Sequence, residues 1–182
     1  MPRRSPIALI FGVLGALTLA APTPTSAESI GIRQSEHVLA TFEGTTINLT
    51  DGWGQARACF SDIPGTARCY RTEAAMDIAE DAGRQSHAGP WPLASCSSTV
   101  RLYRGTNYTG GVLALSTRYT YLNLAAYGFD NDTSSYKIGA CSARFYDTTS
   151  GSGLYPGNTG AGASSWLMVL SWDNRIGSIY IN

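Results

Sequence analysis

The sequence predicts a mainly β protein, with a two-sheet sandwich over residues 96–182 and a small α+β region before it. Two observations carry this prediction. Short apolar or alternating segments recur through the second half, and clusters of Gly, Asn and Asp separate them. The first half contains one helical stretch beside a pair of cysteine-bearing strands. The 182 residues, 43% of them hydrophobic, suffice for one or two small domains.

The first 27 residues are typical of a secretory signal peptide. Arg3 and Arg4 form a short basic segment, Ile7–Ala21 is apolar, and small residues ending at Ala27 offer a cleavage site. A membrane anchor is the alternative, but the apolar run is shorter than the roughly 18 residues that a spanning helix needs. We therefore expect a secreted, extracellular protein that begins at residue 28.

The balance of charged residues bears on which partners the protein can bind. Lys and Arg total 13, as do Asp and Glu, and Lys137 is the single lysine. Because the chain has no basic stripe, we expect no nucleic acid. No other stretch is apolar enough to cross a bilayer, so we expect no membrane association after cleavage, and a monomer.

Residues 28–81 form the predicted N-terminal α+β region. The segments 38–42 and 45–49 are strand candidates that can pair across Glu43-Gly44. A second hairpin, turning at Pro64-Gly65, places Cys59 opposite Cys69. Thr72 can cap a helix that Gly83 ends. We expect the small apolar face of this helix to cover the hairpin; that face comprises Ala75, Met76, Ala79 and Ala82.

An even number of cysteines in an exported chain predicts two disulfides. Three pairings are possible, and the hairpin favours Cys59–Cys69, which leaves Cys96–Cys141. A zinc site is the weaker alternative, because no Cys-x-x-Cys occurs and the two histidines, His37 and His87, are isolated.

Residues 82–95 predict a linker, since Gly89-Pro90-Trp91-Pro92 has little periodicity. Trp91 is interpreted as a partly buried linker residue, with a binding role as the alternative. The strands expected after the linker are 100–103, 112–116, 135–138, 143–146, 167–170 and 176–181.

Two segments carry a family resemblance. An aromatic hairpin runs from Tyr103 through Tyr108 to Gly110, and the loop Asp130–Ser135 follows about twenty residues later. Together they resemble the Greek-key motif of βγ-crystallins, in which the last serine of the loop fastens the hairpin. A second copy covers Tyr146–Gly153 and Asp173–Ser178, with Gly151 replacing the second aromatic and Gly177 replacing Ser or Thr. Since two motifs make one domain in that family, the resemblance implies a βγ-crystallin-like Greek-key sandwich over residues 96–182.

The chain also resembles the secreted actinobacterial proteins of peptidase inhibitor family I36. The resemblance rests on Gly52–Cys59, Cys69–Asp77, Tyr127–Lys137 and Trp172–Asn182. It implies inhibition of a secreted peptidase, chiefly a metalloproteinase, by a disulfide-bonded βγ-crystallin-like domain. The segment Asp147–Ala163 departs from the crystallin pattern and is the candidate inhibitory loop.

Calcium binding is a further implication of the crystallin resemblance. The candidate ligands are Asn131, Asp132 through its carbonyl, Ser134, Asn174 and the Arg175 carbonyl. Oxygen ligands of this kind suit Ca²⁺. Because Gly177 removes a hydroxyl, we expect one weak site at most; the alternative is that the first loop is only a tight turn.

Enzyme activity is not predicted, and no catalytic residue is assigned. The chain has neither a Gly-x-Ser-x-Gly nor a His-Glu-x-x-His sequence. We expect a protein that acts by binding, foremost a peptidase inhibitor. The alternatives are a calcium-binding module that binds cell wall or carbohydrate, and a killer toxin.

Overall fold

Strand and helix formation follows the residue pattern closely in the computed structural model, which describes residues 37–86, 95–169 and 171–182. The predicted signal peptide, its cleavage site, His87 and Trp91 lie outside the described residues. The strands are β1 (Leu39–Phe42), β2 (Thr45–Asn48), β3 (Ala58–Ser61), β4 (Thr66–Tyr70), β5 (Ser95–Gly105), β6 (Thr109–Thr117), β7 (Tyr121–Asn123), β8 (Ser135–Lys137), β9 (Ala143–Tyr146), β10 (Ser164–Ser165) and β11 (Ser178–Ile181), and the helix is α1 (Glu73–Ser86).

A large sheet of eight strands has the order β10-β8-β5-β6-β3-β4-β1-β2. Its middle strands are buried on both faces. In β6, Leu113 faces the main core, whereas the neighbouring Val112 and Ala114 face the other side. This accounts for the continuous apolar run in β6, because a strand covered on both faces has no polar side.

A smaller sheet with the order β7-β11-β9 packs against the large one. Leu102 and Leu113 of the large sheet share the main core with Phe145 and Ile179 of the small sheet. The two halves exchange strands, since β7 of the first half pairs with β11 and β10 of the second half pairs with β8. This exchange is the Greek-key arrangement that the resemblance implies.

Both hairpins of the N-terminal region form as predicted. Strands β1 and β2 pair antiparallel, and β3 pairs with β4 so that Cys59 lies opposite Cys69. The structure contains the disulfides Cys59–Cys69 and Cys96–Cys141.

The N-terminal region shares the large sheet with strands of the second half. Strand β3 pairs in parallel with β6, and residues 33–182 form one unit. The backbone N–H of Val38 also donates to Ala126 O at 2.9 Å. Parallel pairing between distant segments has no local sequence signal, so the composition change at residues 82–95 gives no indication of it.

Helix α1 lies over β3 and β4 but is longer than predicted. The Thr72 hydroxyl accepts from the Ala75 N–H at 3.1 Å, as expected of a cap. The helix continues through Gly83 to Ser86, so the first residues of the predicted linker are helical. Among the four predicted apolar residues, Met76 alone is fully buried.

The predicted strand at 167–170 was wrong for its described residues, 167–169, which are irregular. The pairing there belongs to β10, just before it. Strands β7 and β10 were missed because they span three and two residues, too few to show an alternating pattern.

Candidate functional site

The first crystallin-type loop fastens the aromatic hairpin through one hydroxyl. Ser135 Oγ donates to Gly105 O at 2.6 Å and accepts from the Tyr108 N–H at 3.1 Å. The Tyr103 and Tyr108 rings meet edge to face at 5.6 Å, and Gly110 has φ +81°. A left-handed residue of this kind favours glycine.

The second loop also fastens its hairpin through a serine hydroxyl, but the second aromatic ring comes from a different strand. Ser178 Oγ donates to Thr148 O at 2.7 Å. Gly151 has no side chain, and a Cβ there would lie 2.5 Å from Tyr121 Cε1. The Tyr121 ring lies 5.5 Å from that of Tyr146. A tyrosine from β7 thus supplies the aromatic contact that the second hairpin lacks.

The two loops lie against each other in a symmetric way. The Asn131 N–H donates to Ile176 O at 3.0 Å, and the Asn174 N–H donates to Thr133 O at 3.0 Å. Both asparagines are left-handed, with φ of 53° and 55°, a conformation that Asn tolerates better than most residues. The predicted calcium ligands of both loops are therefore neighbours.

Only one of the two symmetric positions joins side chains from both loops. Ser134 Oγ donates to Asn174 Oδ1 at 3.2 Å. At the other position Asn131 faces the loop containing Gly177, which has no hydroxyl, and its Nδ2 donates to Asp130 Oδ2 at 3.3 Å instead. The oxygen pair with one member from each loop is thus Ser134 and Asn174.

Residue 177 is a glycine because another backbone segment passes too close to it for a side chain. A Cβ at this position would lie 2.5 Å from Asp147 O and 2.8 Å from Thr148 C. Ser or Thr would require that segment to move. The departure from the family pattern at Gly177 is therefore linked to the path of the chain after β9.

The charged groups beside the loops are mostly paired. Arg104 contacts the Asp132 carboxylate, and Arg175 Nη2 lies 2.6 Å from Asp147 Oδ2. Burial raises the pKa of Asp130 and of Asp132, an effect that Arg104 partly offsets for Asp132. Arg175, whose charge would oppose a cation, is neutralised by Asp147.

The donor chemistry fits a weak calcium site. Ser134 Oγ, Asn174 Oδ1 and nearby main-chain carbonyls are hard oxygen donors, as Ca²⁺ prefers. They are neutral, however, and tight protein sites usually include carboxylates. Within the described ranges, no group of three or more His, Cys, Asp or Glu residues could hold a metal.

The segment Asp147–Ala163 is fixed to the sandwich along its length. Its tip is a small turn, in which the Asp147 N–H donates to Gly153 O at 2.8 Å. The Thr148 hydroxyl lies 2.8 Å from Ser152 Oγ and accepts from the Ser152 N–H at 2.9 Å. Further on, Tyr155 is buried in the core.

The Gly52–Cys59 segment, which contributed to the resemblance, has a structural role. Trp53 Nε1 donates to Tyr127 O at 2.8 Å, and its ring lies 5.5 Å from that of Phe129. The Arg104 guanidinium lies 4.8 Å from both ring centroids. The segment thus supports residues 127–129, which lead directly into the first loop.

The predictions did not include Tyr121 as a functional residue. Its contact is with Gly151, which lies in the turn after β9 in the other half, so local spacing gives no signal for it. Of the two histidines, His37 is described and is exposed. No helix in the described part of the chain is long and apolar enough to cross a membrane.

The chain has a βγ-crystallin-like fold. A βγ-crystallin from Ciona intestinalis is similar over 46% of this chain and 99% of its own length, with 20% identity and a TM-score of 0.38. A double mutant of clostrillin in complex with nickel is similar over 47% and 98%, with 15% identity and a TM-score of 0.38. An archaeal βγ-crystallin is similar over 48% of this chain and 100% of its own length, with 19% identity and a TM-score of 0.37. No protein-family model and no curated protein matches the sequence.

Proposed function

We propose that this chain is a secreted, monomeric inhibitor of an extracellular peptidase, chiefly a metalloproteinase. The observation that carries the proposal is the segment Asp147–Ala163, which is exposed at its tip and anchored at its base. An inhibitor must present a segment that binds tightly. A segment already held in one conformation loses little entropy on binding, which favours affinity.

The tip, residues 148–153, is held by its own hydrogen bonds. Its exposed residues include Thr149 and Ser150, whereas Thr148 carries the bonds that close the turn. The Gly151 N–H donates to Thr148 O at 3.3 Å. A target would therefore meet a short polar loop with a fixed backbone.

The base of the segment is anchored to both sheets. Tyr136 donates its hydroxyl to Asn158 O at 2.8 Å, and the Ala143 N–H donates to Thr159 O at 2.9 Å. The disulfide at Cys141 ties the chain just before β9. These contacts support a loop that stays in place when a peptidase binds it.

The test is an inhibition panel with the purified chain from residue 28 onward. A thermolysin-like metalloproteinase, a subtilisin-like serine peptidase and a papain-like cysteine peptidase are each assayed with increasing inhibitor. We expect loss of activity of the metalloproteinase alone. Full activity of all three at tenfold molar excess would reject the proposal and favour the wall-binding, carbohydrate-binding or killer-toxin alternatives, which polysaccharide pull-down and growth inhibition assays separate.

We also propose one weak calcium site at the paired loops. Ser134 Oγ and Asn174 Oδ1 support it, because they are oxygen donors brought together from different loops. The carbonyls of Asp132 and Arg175 are the further candidates. Asn131 has no hydroxyl partner in the opposite loop, so it contributes less.

Calorimetric titration with Ca²⁺ tests this site. We expect one weak site that Asn174→Ala or Ser134→Ala abolishes, whereas Asn131→Ala, the matched control in the symmetric position, weakens binding less. Two equal sites would contradict the role given to Gly177. No heat at millimolar Ca²⁺ would show that the loops are plain turns.

A further inference from the structure

The two halves of the sandwich have equivalent outer faces. In the large sheet Arg101 lies opposite Lys137 across β5 and β8. In the small sheet Arg144 lies opposite Tyr180 across β9 and β11 in the same register. Arg144 is therefore the counterpart of Arg101, on the corresponding face of the other half.

Helix α1 covers the first of these faces with acidic side chains. Arg101 lies 2.7 Å from a Glu73 oxygen, 2.6 Å from an Asp77 oxygen and 3.3 Å from a Glu80 oxygen. The three carboxylates recur on one side of the helix, at the spacing that puts residues on a common face. Between them Met76 packs in the same cluster as Val112 of β6.

The second face has the same kinds of groups, and no helix in the described part of the chain lies over it. Arg144 is exposed, and its side chain forms no ion pair or hydrogen bond with another described residue. Leu154 lies opposite Tyr146, as Val112 lies opposite Tyr103. Yet Leu154 is 60% exposed, whereas Val112 is 1% exposed.

Two tyrosines complete this second face. Tyr121 on β7 lies opposite Tyr180 on β11, with ring centroids 5.1 Å apart, and Tyr121 is 41% exposed. We call the surface formed by Tyr121, Arg144, Leu154 and Tyr180 the open face. Tyr and Arg are enriched at the centres of protein interfaces, where Lys, Glu and Asp are depleted.

We propose that the open face binds an acidic amphipathic helix of a protein partner. Carboxylates one turn apart on that helix pair with Arg144, and an aliphatic side chain between them packs on Leu154. Charge complementarity and the arrangement of α1 on the equivalent face favour this occupant over a glycan or a second copy. The proposal does not depend on peptidase inhibition.

The binding test uses a fluorescent peptide with the α1 sequence, residues 72–86, and the complete chain from residue 28. Because a helix this short is marginal in water, a covalent link between positions 78 and 82 holds it; both side chains are exposed in α1. We expect saturable binding by fluorescence anisotropy. Arg144→Gln should weaken it roughly fivefold, and Leu154→Asp by at least as much.

Two controls separate this face from general charge attraction. Arg57→Gln removes another exposed arginine, in the segment just before β3, and we expect unchanged binding. A peptide with E73Q, D77N and E80Q should bind as weakly to the wild-type chain as the original peptide binds to Arg144→Gln. Circular dichroism confirms that each protein variant is folded.

Three results would overturn the proposal. One is no saturable binding up to about 1 mM peptide. Another is equal affinity of the wild-type chain and Arg144→Gln. The third is a dimer in sedimentation equilibrium that Leu154→Asp dissociates, or binding of polygalacturonate in place of the peptide, since either assigns the face to a different occupant.

Discussion

The Ser135 hydroxyl is the single group that fastens the first folded hairpin. It donates to Gly105 O and accepts from the Tyr108 N–H, and the residue is fully buried. Ser135→Ala would leave the Gly105 carbonyl and the Tyr108 N–H, both partly buried, without their partner. An unpaired buried group costs about 1–3 kcal/mol.

We therefore expect Ser135→Ala to lower the free energy of unfolding by about 1–3 kcal/mol in urea titrations. Ser97→Ala, at an exposed position of β5, is the matched control and should change it by less than about 0.5 kcal/mol. Equal stability of the two variants would remove the role assigned to this hydroxyl.

The predictability of the site differs between its residues. The crystallin resemblance implied that Ser135 and Ser178 would fasten hairpins, and the loop and the hairpin that carry this resemblance recur in order along the chain. The hydrogen bond between Ser134 and Asn174 joins two loops far apart in sequence. The Tyr121 ring likewise comes from β7 to contact residues at the end of β9 and in the turn after it. Such contacts depend on the three-dimensional exchange of strands, for which no local pattern exists.

Among the elements, α1 carries an unusual concentration of buried charge. The Glu80 side chain is almost fully buried beside Arg101 and Arg84, and its Oε1 has no hydrogen-bond partner among the described residues. Burial raises the pKa of Glu80, more than the two arginines lower it. The folded state therefore favours the protonated form relative to the unfolded chain.

The sign of the pH effect follows from this raised pKa. The destabilisation by Glu80 builds as the pH rises from the ordinary carboxyl range, where the group ionises in the unfolded chain. It is complete once the pH exceeds the folded-state pKa, and it disappears as the pH falls back to the ordinary carboxyl range. Glu80→Gln removes the titration. We expect its stability relative to the wild-type chain to increase as the pH rises from the ordinary carboxyl range through the raised pKa.

Urea unfolding of both proteins across that pH range measures the difference. Asp81→Asn, which changes an exposed carboxylate of the same helix, is the control and should give a much smaller trend. A stability difference that stays constant with pH, or that falls as pH rises, would contradict the raised pKa.

Helices and strands were predictable where their residue patterns extend over many positions. Helix α1 follows from Thr72 and the residues after it, although Gly83 did not end it, since packing on the sheet outweighs a cost of about 1 kcal/mol for one glycine. Strands β7 and β10 are too short for a pattern. They form because they pair with β11 and β8, respectively.

On the scale of the whole molecule, the N-terminal region completes the sandwich. The parallel pairing of β3 with β6 inserts the disulfide hairpin into the large sheet. The disulfides therefore constrain one cooperative unit: Cys59–Cys69 closes a sequence separation of 10, and Cys96–Cys141 one of 45. In the chain-entropy model the shorter contributes about 2.7 kcal/mol and the longer about 4 kcal/mol.

Two double variants, each with both cysteines of one disulfide replaced by alanine, test whether the chain unfolds as a single unit. We expect removal of Cys96–Cys141 to cost more stability than removal of Cys59–Cys69, and each variant to unfold in one transition. Far-ultraviolet circular dichroism and tryptophan fluorescence should give coincident curves. Two separated transitions would show that the N-terminal region is an independent domain.

The central claim is that a preformed loop inhibits a peptidase, and a tight-binding titration of a thermolysin-like metalloproteinase tests it most directly. We expect activity to fall linearly to an end point at one inhibitor per enzyme. Thr148→Val, which removes the hydroxyl that closes the loop tip, should raise the inhibition constant roughly tenfold, whereas Thr45→Val, in the distant first hairpin, should not. Activity that stays constant throughout the titration, or equal inhibition by both variants, would contradict the account.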